Sequence, residues 1–279
     1  MKHLLWLALP ALIIMPSPTH AEEKEAPYSD TIQALITPLY GTHGKSPAVL
    51  LVHGGGWTQG NPSLLYQTGL YLSDQGYLCA LASYRLADGK STSLLEGLKD
   101  VRAAYRELVA NSKELGIDPE KIYILGESAG GHLAAAAVML PAFDSGAPLN
   151  TDHPPRPAGL ILINPVLDLP ATPWLKGHAA LPTPESISLE NADQVREALS
   201  PQQAPAKGLP PVLIIHGQDD TVVGVEQAEA FTAKLEEENV NVTLLILPFT
   251  GHAFLIPGYG EDEVREEAHI AIMDWLNRP

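Results

Sequence analysis

The stretch KIYILGESAGGHLAAAA, residues 121–137, decides the fold, because in it a buried strand is followed directly by an apolar helix. Residues 121–125 form a short and mostly apolar run, which is typical of a strand buried on both faces. Residues 129–140 are small and apolar enough to lie close against a sheet as a helix. Ser128 stands between the two, at a sharp strand-to-helix turn whose flanking glycines avoid clashes with neighbouring elements.

Strand and helix signals alternate on both sides of this stretch. The clearest helical stripe consists of Leu94, Leu98, Val101, Tyr105 and Leu108, at steps of four and three. Such alternation predicts an α/β fold: a mostly parallel central sheet with helices on both faces, whose ligands approach the carboxyl ends of the strands. The predicted strands are residues 48–52, 77–83, 121–125, 160–163, 212–215 and 242–247, and further helices are predicted over 225–235 and 264–275.

Two stretches interrupt the alternation, residues 143–157 and residues 168–211. The second is rich in proline and too long for a simple connection in a compact domain. We therefore expect a Pro-rich insertion that partly covers the functional site, with a short helix over 188–199. No linker divides the rest, so residues 22–279 are predicted to form a single domain.

The first 21 residues have the pattern of a secretory signal peptide. A basic start precedes the apolar run of residues 4–15, and small residues near Ala21 suit cleavage after that position. An uncleaved membrane anchor is the alternative, but the run is shorter than the roughly 20 residues that span a bilayer. The sequence thus predicts a secreted or periplasmic protein.

The net charge and the cysteine content limit the kinds of partner and chemistry that the protein can have. The formal net charge is −16 without a basic cluster, which argues against nucleic acid as a partner and, once the signal is cleaved, against an anionic membrane. Neutral or cationic small molecules are the expected partners. The single cysteine, Cys79, lies in an apolar run and is interpreted as a buried core residue, with a catalytic thiol as the alternative.

The glycine-rich motif HGGGW, residues 53–57, follows the predicted strand 48–52. Glycines let backbone N–H groups approach a developing oxyanion closely. The N–H groups of Gly55 and Gly56, with that of Ala129 after the serine, are the candidate oxyanion-hole donors. A flexible turn or a phosphate-binding loop is the alternative, but no Lys-Ser or Lys-Thr pair follows the glycines.

A serine hydroxyl is a poor nucleophile until a base takes its proton, so Ser128 requires a histidine and an orienting carboxylate. His252 follows the last predicted strand and precedes the last amphipathic helix, where such a base would stand. His216 is the competitor and is interpreted as a packed residue at a strand end, and His53 as a support of the glycine loop. For the acid, the loop HGQDDTVV at 216–223 offers both Asp219 and Asp220, between which spacing does not decide.

These motifs, together with SYRL at 83–86, GIDPEKIYILGESAGGHLAAA at 116–136 and GHAF at 251–254, make the chain resemble bacterial esterases of the α/β-hydrolase fold. Hormone-sensitive-lipase-like and feruloyl or acetyl-xylan esterase-like groups are similar to it over nearly the whole mature chain. The resemblance implies that Asp220 is the acid and that the reaction uses no cofactor or metal. Glu127, where the relatives often have Asp or a small residue, and the Pro-rich insertion depart from the pattern and concern substrate preference.

The sequence therefore predicts a serine carboxylesterase that acts on short-chain acyl esters through Ser128, His252 and Asp220. Acetyl esters of carbohydrates are among the candidate substrates implied by the resemblance. An amide or peptide hydrolase on the same fold is the first alternative, since the pocket and not the triad decides between them. A secreted binding protein without catalysis is the second.

Overall fold

Eight strands form one sheet in the computed structural model, which describes residues 23–24, 30–38, 45–143, 148–149, 155–175, 178 and 180–278. The predicted signal peptide, residues 1–21, lies outside the described residues. Across the sheet the strand order is β1-β2-β4-β3-β5-β6-β7-β8. The strands are β1 Glu23–Lys24, β2 Ile32–Ile36, β3 Ser46–Val52, β4 Leu78–Ala82, β5 Ile117–Glu127, β6 Gly159–Ile163, β7 Val212–Gly217 and β8 Val242–Leu247.

The sheet is parallel from β4 to β8, and only β1 and β2 run antiparallel to their neighbours. All six predicted strands are present, which confirms the mostly parallel sheet. The antiparallel strand β2 was not predicted as a separate strand. The central strands are buried along their whole length, as Leu78–Ala82 and Gly159–Ile163 illustrate, because helices cover both faces.

Seven helices accompany the strands in the described residues. Alternate residues of β3 separate the two faces: Ala48, Leu50 and Val52 pack with helices α2, α4 and α6, whereas Val49 and Leu51 pack with α1 and α7. This arrangement confirms the predicted fold class, with helices on both sides of the sheet. The helices are α1 Tyr66–Asp74, α2 Leu94–Ala110, α3 Ser112–Leu115, α4 Ala129–Met139, α5 Ala192–Ala198, α6 Glu226–Glu237 and α7 Asp262–Leu276.

The first turn of α2 shows how strongly the local sequence determines a helix start. The Ser93 hydroxyl accepts from the Leu95 N–H, and the Glu96 carboxylate accepts from the Ser93 N–H, which forms a capping box. The predicted stripe of the same helix is fully buried from Leu98 to Leu108. None of the helices in the described residues is both long and apolar enough to cross a bilayer.

The Pro-rich stretch 168–211 is built from short pieces. It contains the helix α5 and 3-10 turns at Pro173–Leu175, Pro184–Ile187 and Pro201–Gln203. The observed helix, Ala192–Ala198, lies within the range predicted for it. The stretch begins at the carboxyl edge of the sheet after β6, so its first residues lie beside the loops that follow β5 and β7.

Candidate active site

Ser128 stands on a strained turn between β5 and α4. Its backbone has φ of 54° and ψ of −118°, a region that residues other than glycine rarely adopt. The turn is so tight that a Cβ on Gly126 would lie 2.2 Å from the Gly130 oxygen, and one on Gly130 would lie 2.1 Å from the Val52 oxygen. The two glycines of the motif are therefore required by backbone contacts. The Ser128 N–H donates to the Ile163 carbonyl at 2.8 Å, which ties the turn to β6.

Three side chains that are far apart in the sequence form one hydrogen-bonded chain. His252 Nε2 lies 2.9 Å from Ser128 Oγ, and His252 Nδ1 lies 2.6 Å from Asp220 Oδ2. A carboxylate only accepts, so Nδ1 carries the proton and Nε2 is left to accept from the serine hydroxyl. Asp219, the alternative acid, is exposed, and its N–H bonds to the Thr250 carbonyl, so the acid beside His252 is Asp220.

Asp220 is held as an anion by its surroundings. Burial acts to raise its pKa, but hydrogen bonds from His216 and His252, the charge of His252 and the Val223 N–H together hold the pKa below its ordinary value. The N–H groups of Val222 and Val223 both donate to Oδ1 at 2.9 Å. A buried carboxylate with this many donors remains charged at neutral pH and can orient an imidazole.

His216 is fully buried at the end of β7, as predicted, and it also contacts the acid. Its Nε2 lies 2.9 Å from the Val223 carbonyl and 3.4 Å from Asp220 Oδ2. Both neighbours are acceptors, so Nε2 carries the proton and donates to them. Its Nδ1 has no partner within the described residues. No pattern in the sequence indicated the contact between His216 and Asp220.

The glycine-rich loop after β3 has an unusual backbone. Gly55, Gly56 and Trp57 have φ of 115°, 59° and 62°, a run that a chain without glycines would adopt only with strain. The N–H groups of Thr58 and Gln59 both donate to the Gly55 carbonyl and so close the loop on itself. Gly55 and Gly56 line the same cavity as Ser128. The Ala129 N–H, in the first turn of α4, has no intrahelical acceptor and points to the same end of the helix.

Two histidines support this loop. His53 Nδ1 lies 2.7 Å from the Gly54 carbonyl, and its ring stacks on Tyr84 at 4.3 Å. Burial lowers the pKa of His53 to about 4, so the ring is neutral. On the other side, Trp57 Nε1 donates to His132 Nδ1, and His132 Nε2 donates to the Leu199 carbonyl of the insertion. The loop, α4 and the insertion are thereby joined by one polar chain.

A cavity of about 480 Å³ opens in front of the serine. Two residues of the stretch 168–211, Trp174 and His178, form part of its wall, and their rings pack edge-on at 5.5 Å. Trp174 Nε1 also donates to the Val222 carbonyl, which joins the insertion to the loop that carries the acid. Tyr259 lines the cavity with most of its surface exposed. Sequence patterns did not single out these aromatic side chains, because they lie in segments without periodicity.

The arrangement combines a hydroxyl, a neutral imidazole that can take its proton, and an oriented carboxylate, beside a loop of backbone amides. Such a set is able to perform nucleophilic acyl transfer. In the described part of the chain, no cluster of three or more His, Cys, Asp and Glu residues could hold a metal ion. Cys79 is fully buried in β4, where burial raises the pKa of its thiol, so it is a core residue.

Comparison with known proteins gives a consistent family assignment. The family model BD-FAE matches residues 38–235, and the model of the dienelactone hydrolase family matches residues 196–278. Two relatives from Mycobacterium tuberculosis are the probable carboxylic ester hydrolase LipM, 28% identical over 77% of this chain, and the esterase LipC, 29% identical over 75%. The chain spans only about half of their lengths, 51% and 53% respectively.

Among solved structures, a thermophilic esterase from Thermogutta terrifontis, Est2, is similar over most of both chains. Its TM-score is 0.72 with 25% sequence identity, covering 92% of this chain and 91% of that chain. The same esterase phosphorylated by paraoxon is similar with a TM-score of 0.72 and 27% identity, covering 95% of each chain. The sheet and its covering helices thus have the α/β-hydrolase fold.

Proposed function

Since the chain belongs to the BD-FAE family, we propose that it is a serine carboxylesterase with Ser128 as nucleophile, His252 as general base and Asp220 as the orienting acid. Ser128 Oγ attacks the ester carbonyl while His252 Nε2 takes its proton. His252 then returns the proton to the leaving alcohol, and an acyl group remains on the serine. Water, activated by the same imidazole, cleaves the acyl enzyme and restores the hydroxyl.

The observation that carries this proposal is the continuous chain of hydrogen bonds from Ser128 through His252 to Asp220, at 2.9 Å and 2.6 Å. Backbone donors for the negative charge on the former carbonyl oxygen are assigned to Gly55, Gly56 and Ala129. The names of the relatives, which are esterases and a probable carboxylic ester hydrolase, support the same reaction class.

A direct test replaces the nucleophile. S128A should lose turnover of p-nitrophenyl acetate by at least about 10³-fold, because the covalent route is removed while binding remains. S91A, which removes an exposed serine hydroxyl on a surface loop, is the matched control and should keep full activity. The wild type should also be labelled by paraoxon at Ser128, as seen by peptide mass mapping. Undiminished turnover in S128A, or labelling at another residue, would refute the assignment.

For the substrate we propose short-chain acyl esters, including acetyl esters of carbohydrates. The walls contributed by Trp174 and His178 leave a cavity of about 480 Å³, near the lower end of the usual range for small-molecule sites. The exposed face of Tyr259 at the cavity offers a flat apolar surface for the alcohol part of the ester. An acyl series from acetate to octanoate should show kcat/KM falling with chain length, and acetylated xylan should release acetate.

The same series separates the alternatives. Activity on aryl amides or dipeptides above that on short esters would favour an amide hydrolase. A flat profile across acyl lengths would contradict the proposed role of the cavity walls.

We also propose that the protein is exported and cleaved after Ala21, as the sequence of residues 1–21 predicts. N-terminal sequencing of the protein recovered from its native host should then begin at Glu22.

A further inference from the structure

A second carboxyl group lies beside the nucleophile and has no part in the reaction described above. Glu127 is the last residue of β5, directly before Ser128, and only 1% of its surface is exposed. It lines the same cavity as Ser128 and His252. Burying a carboxyl group costs free energy of folding unless it is hydrogen-bonded or paired with a charge. A buried carboxyl beside the nucleophile is therefore expected to have a functional role.

The Glu127 carboxyl fills the space beside the start of the glycine-rich loop. Strands β3 and β5 are paired with Val52 opposite Gly126, which brings the next residues of both strands together. A Cβ on Gly54 would lie 2.1 Å from Glu127 Oε2, so the carboxyl occupies the place of a Gly54 side chain. The Gly54 N–H faces the carboxylate and acts to lower its pKa. The position of Gly54 in turn fixes where the following amides, those of Gly55 and Gly56, stand.

The charge of Glu127 is also coupled to the proposed triad. Burial raises its pKa to about 7, while the charge of His252 and the Gly54 N–H act to lower it and the charge of Asp220 acts to raise it. Tyr84, after β4, faces it too, and the Glu127 charge adds to burial in raising the pKa of that phenol. His53 stacks on the ring of Tyr84. The ionised carboxylate therefore attracts the imidazolium that forms on His252 during acyl transfer.

We propose that Glu127 is a positioning residue of the hydrolysis: its carboxylate anchors Gly54 and thereby the oxyanion loop, and as an anion it favours the protonated His252 of the transition state. The inference rests on the proposed function. Activity then depends on two deprotonations, that of His252 and that of Glu127, and not on the base alone. A carboxyl group that merely filled space would leave no trace in the pH dependence of the reaction.

Two variants separate the effect of the length of the Glu127 side chain from the effect of its charge. E127Q keeps the length of the side chain and an oxygen that can accept from Gly54, but it removes the charge. E127D keeps the charge but is one methylene shorter, so its carboxylate is drawn back from Gly54. E236Q removes an exposed carboxyl on α6 and serves as the matched control for net charge. The readouts are kcat and KM for p-nitrophenyl acetate from pH 5 to pH 9.

For the wild type, a plot of log(kcat/KM) against pH should fall on the acid side with a slope above 1, because two protons are involved. E127Q should show a slope of 1 and a kcat about tenfold lower, with KM changed less than about twofold; complete loss of an oxyanion donor costs more, about 10² to 10³. E127D should keep the steeper slope with a reduced kcat. E236Q should match the wild type.

The proposal is overturned if E127Q retains the wild-type slope and kcat. It is equally overturned if the wild type itself shows a slope of 1, a result that does not require any variant to fold. Either outcome leaves the proposed function intact as long as S128A is inactive. Activity that persists in S128A would instead contradict the proposed function, whatever Glu127 does.

Discussion

A buried carboxyl whose pKa is raised on folding should make the protein less stable as the pH rises, and Glu127 allows this effect to be measured. Its pKa in the folded chain is about 7, compared with an ordinary value of 4.5. The folded state therefore holds the proton more tightly than the unfolded chain. The stabilisation is fully present below pH 4.5 and is lost as the pH rises through 7.

The size of the effect follows from the same two values. They differ by about 2.5, and each pKa unit corresponds to about 1.4 kcal/mol, so the full loss is about 3 kcal/mol. Roughly 2.5 kcal/mol of it should fall between pH 5 and pH 8. Gln does not ionise, so E127Q should lack this part of the pH dependence. The free energy of unfolding of E127Q, taken relative to the wild type at the same pH, should therefore be higher at pH 8 than at pH 5.

Urea unfolding followed by circular dichroism at pH 5 and pH 8 measures the two differences in free energy of unfolding. Taking each variant against the wild type at the same pH cancels the titration of all other groups. Subtracting the offset at pH 5 from the offset at pH 8 then cancels the pH-independent cost of burying the Gln amide. E236Q should show little change in its offset between the two pH values. Equal offsets of E127Q at pH 5 and pH 8 would show that Glu127 is already ionised when folded, and the reasoning on its burial would fail.

Three further predictions concern residues around the site. R102M should lower the free energy of unfolding in urea by about 2 to 5 kcal/mol. The buried Arg102 guanidinium donates to the Leu140 and Pro141 carbonyls at the end of α4, which have no other donor in the described residues. K99M, an exposed change on the same helix, should stay within about 0.5 kcal/mol of the wild type. H216A should lower kcat/KM about tenfold through the loss of one hydrogen bond to Asp220, and a wild-type value would contradict that contact. G130A should abolish soluble expression or activity, because its Cβ would meet the Val52 carbonyl at 2.1 Å; an active G130A would show that the turn can open.

Much of the fold could be predicted from the sequence because the parallel strands are buried on both faces. Runs such as residues 160–163 are apolar at every position, which no exposed strand would be. The helix α2 was equally clear from its stripe of apolar residues. In contrast, α1 was not predicted, since Tyr66–Asp74 contains Gly69 and lacks a regular stripe. A Cβ on Gly69 would lie 2.7 Å from the end of the Ile36 side chain, a contact that only the folded chain creates.

The candidate site could be predicted to the extent that its residues follow strands. Ser128, Asp220 and His252 each stand in a loop after a predicted strand, and the α/β pattern brings such loops together. Contacts between residues of different strands could not be predicted from the sequence, because they depend on the register in which the strands pair. Glu127 meets Gly54 only because Val52 pairs with Gly126. Trp174 reaches the cavity because the path of the insertion bends back to Val222, and no periodicity encodes that path.

The strand β6, which lies between the strands that lead to Ser128 and Asp220, explains how the site keeps its geometry. β6 carries none of the proposed catalytic residues, yet it holds both of its neighbours at their ends. Its last residue, Ile163, accepts the Ser128 N–H at 2.8 Å, and the next residue, Asn164, accepts the Gly217 N–H on its side-chain oxygen at 2.9 Å. Asn164 adopts φ of 41°, and the Asn164 N–H donates to the Ile215 carbonyl, so its side chain is turned towards β7 at the cost of backbone strain. The distance between Ser128 and Asp220 is thus set by the contacts that Ile163 and Asn164 make with the two neighbouring strands, whereas His252 lies on the loop after β8.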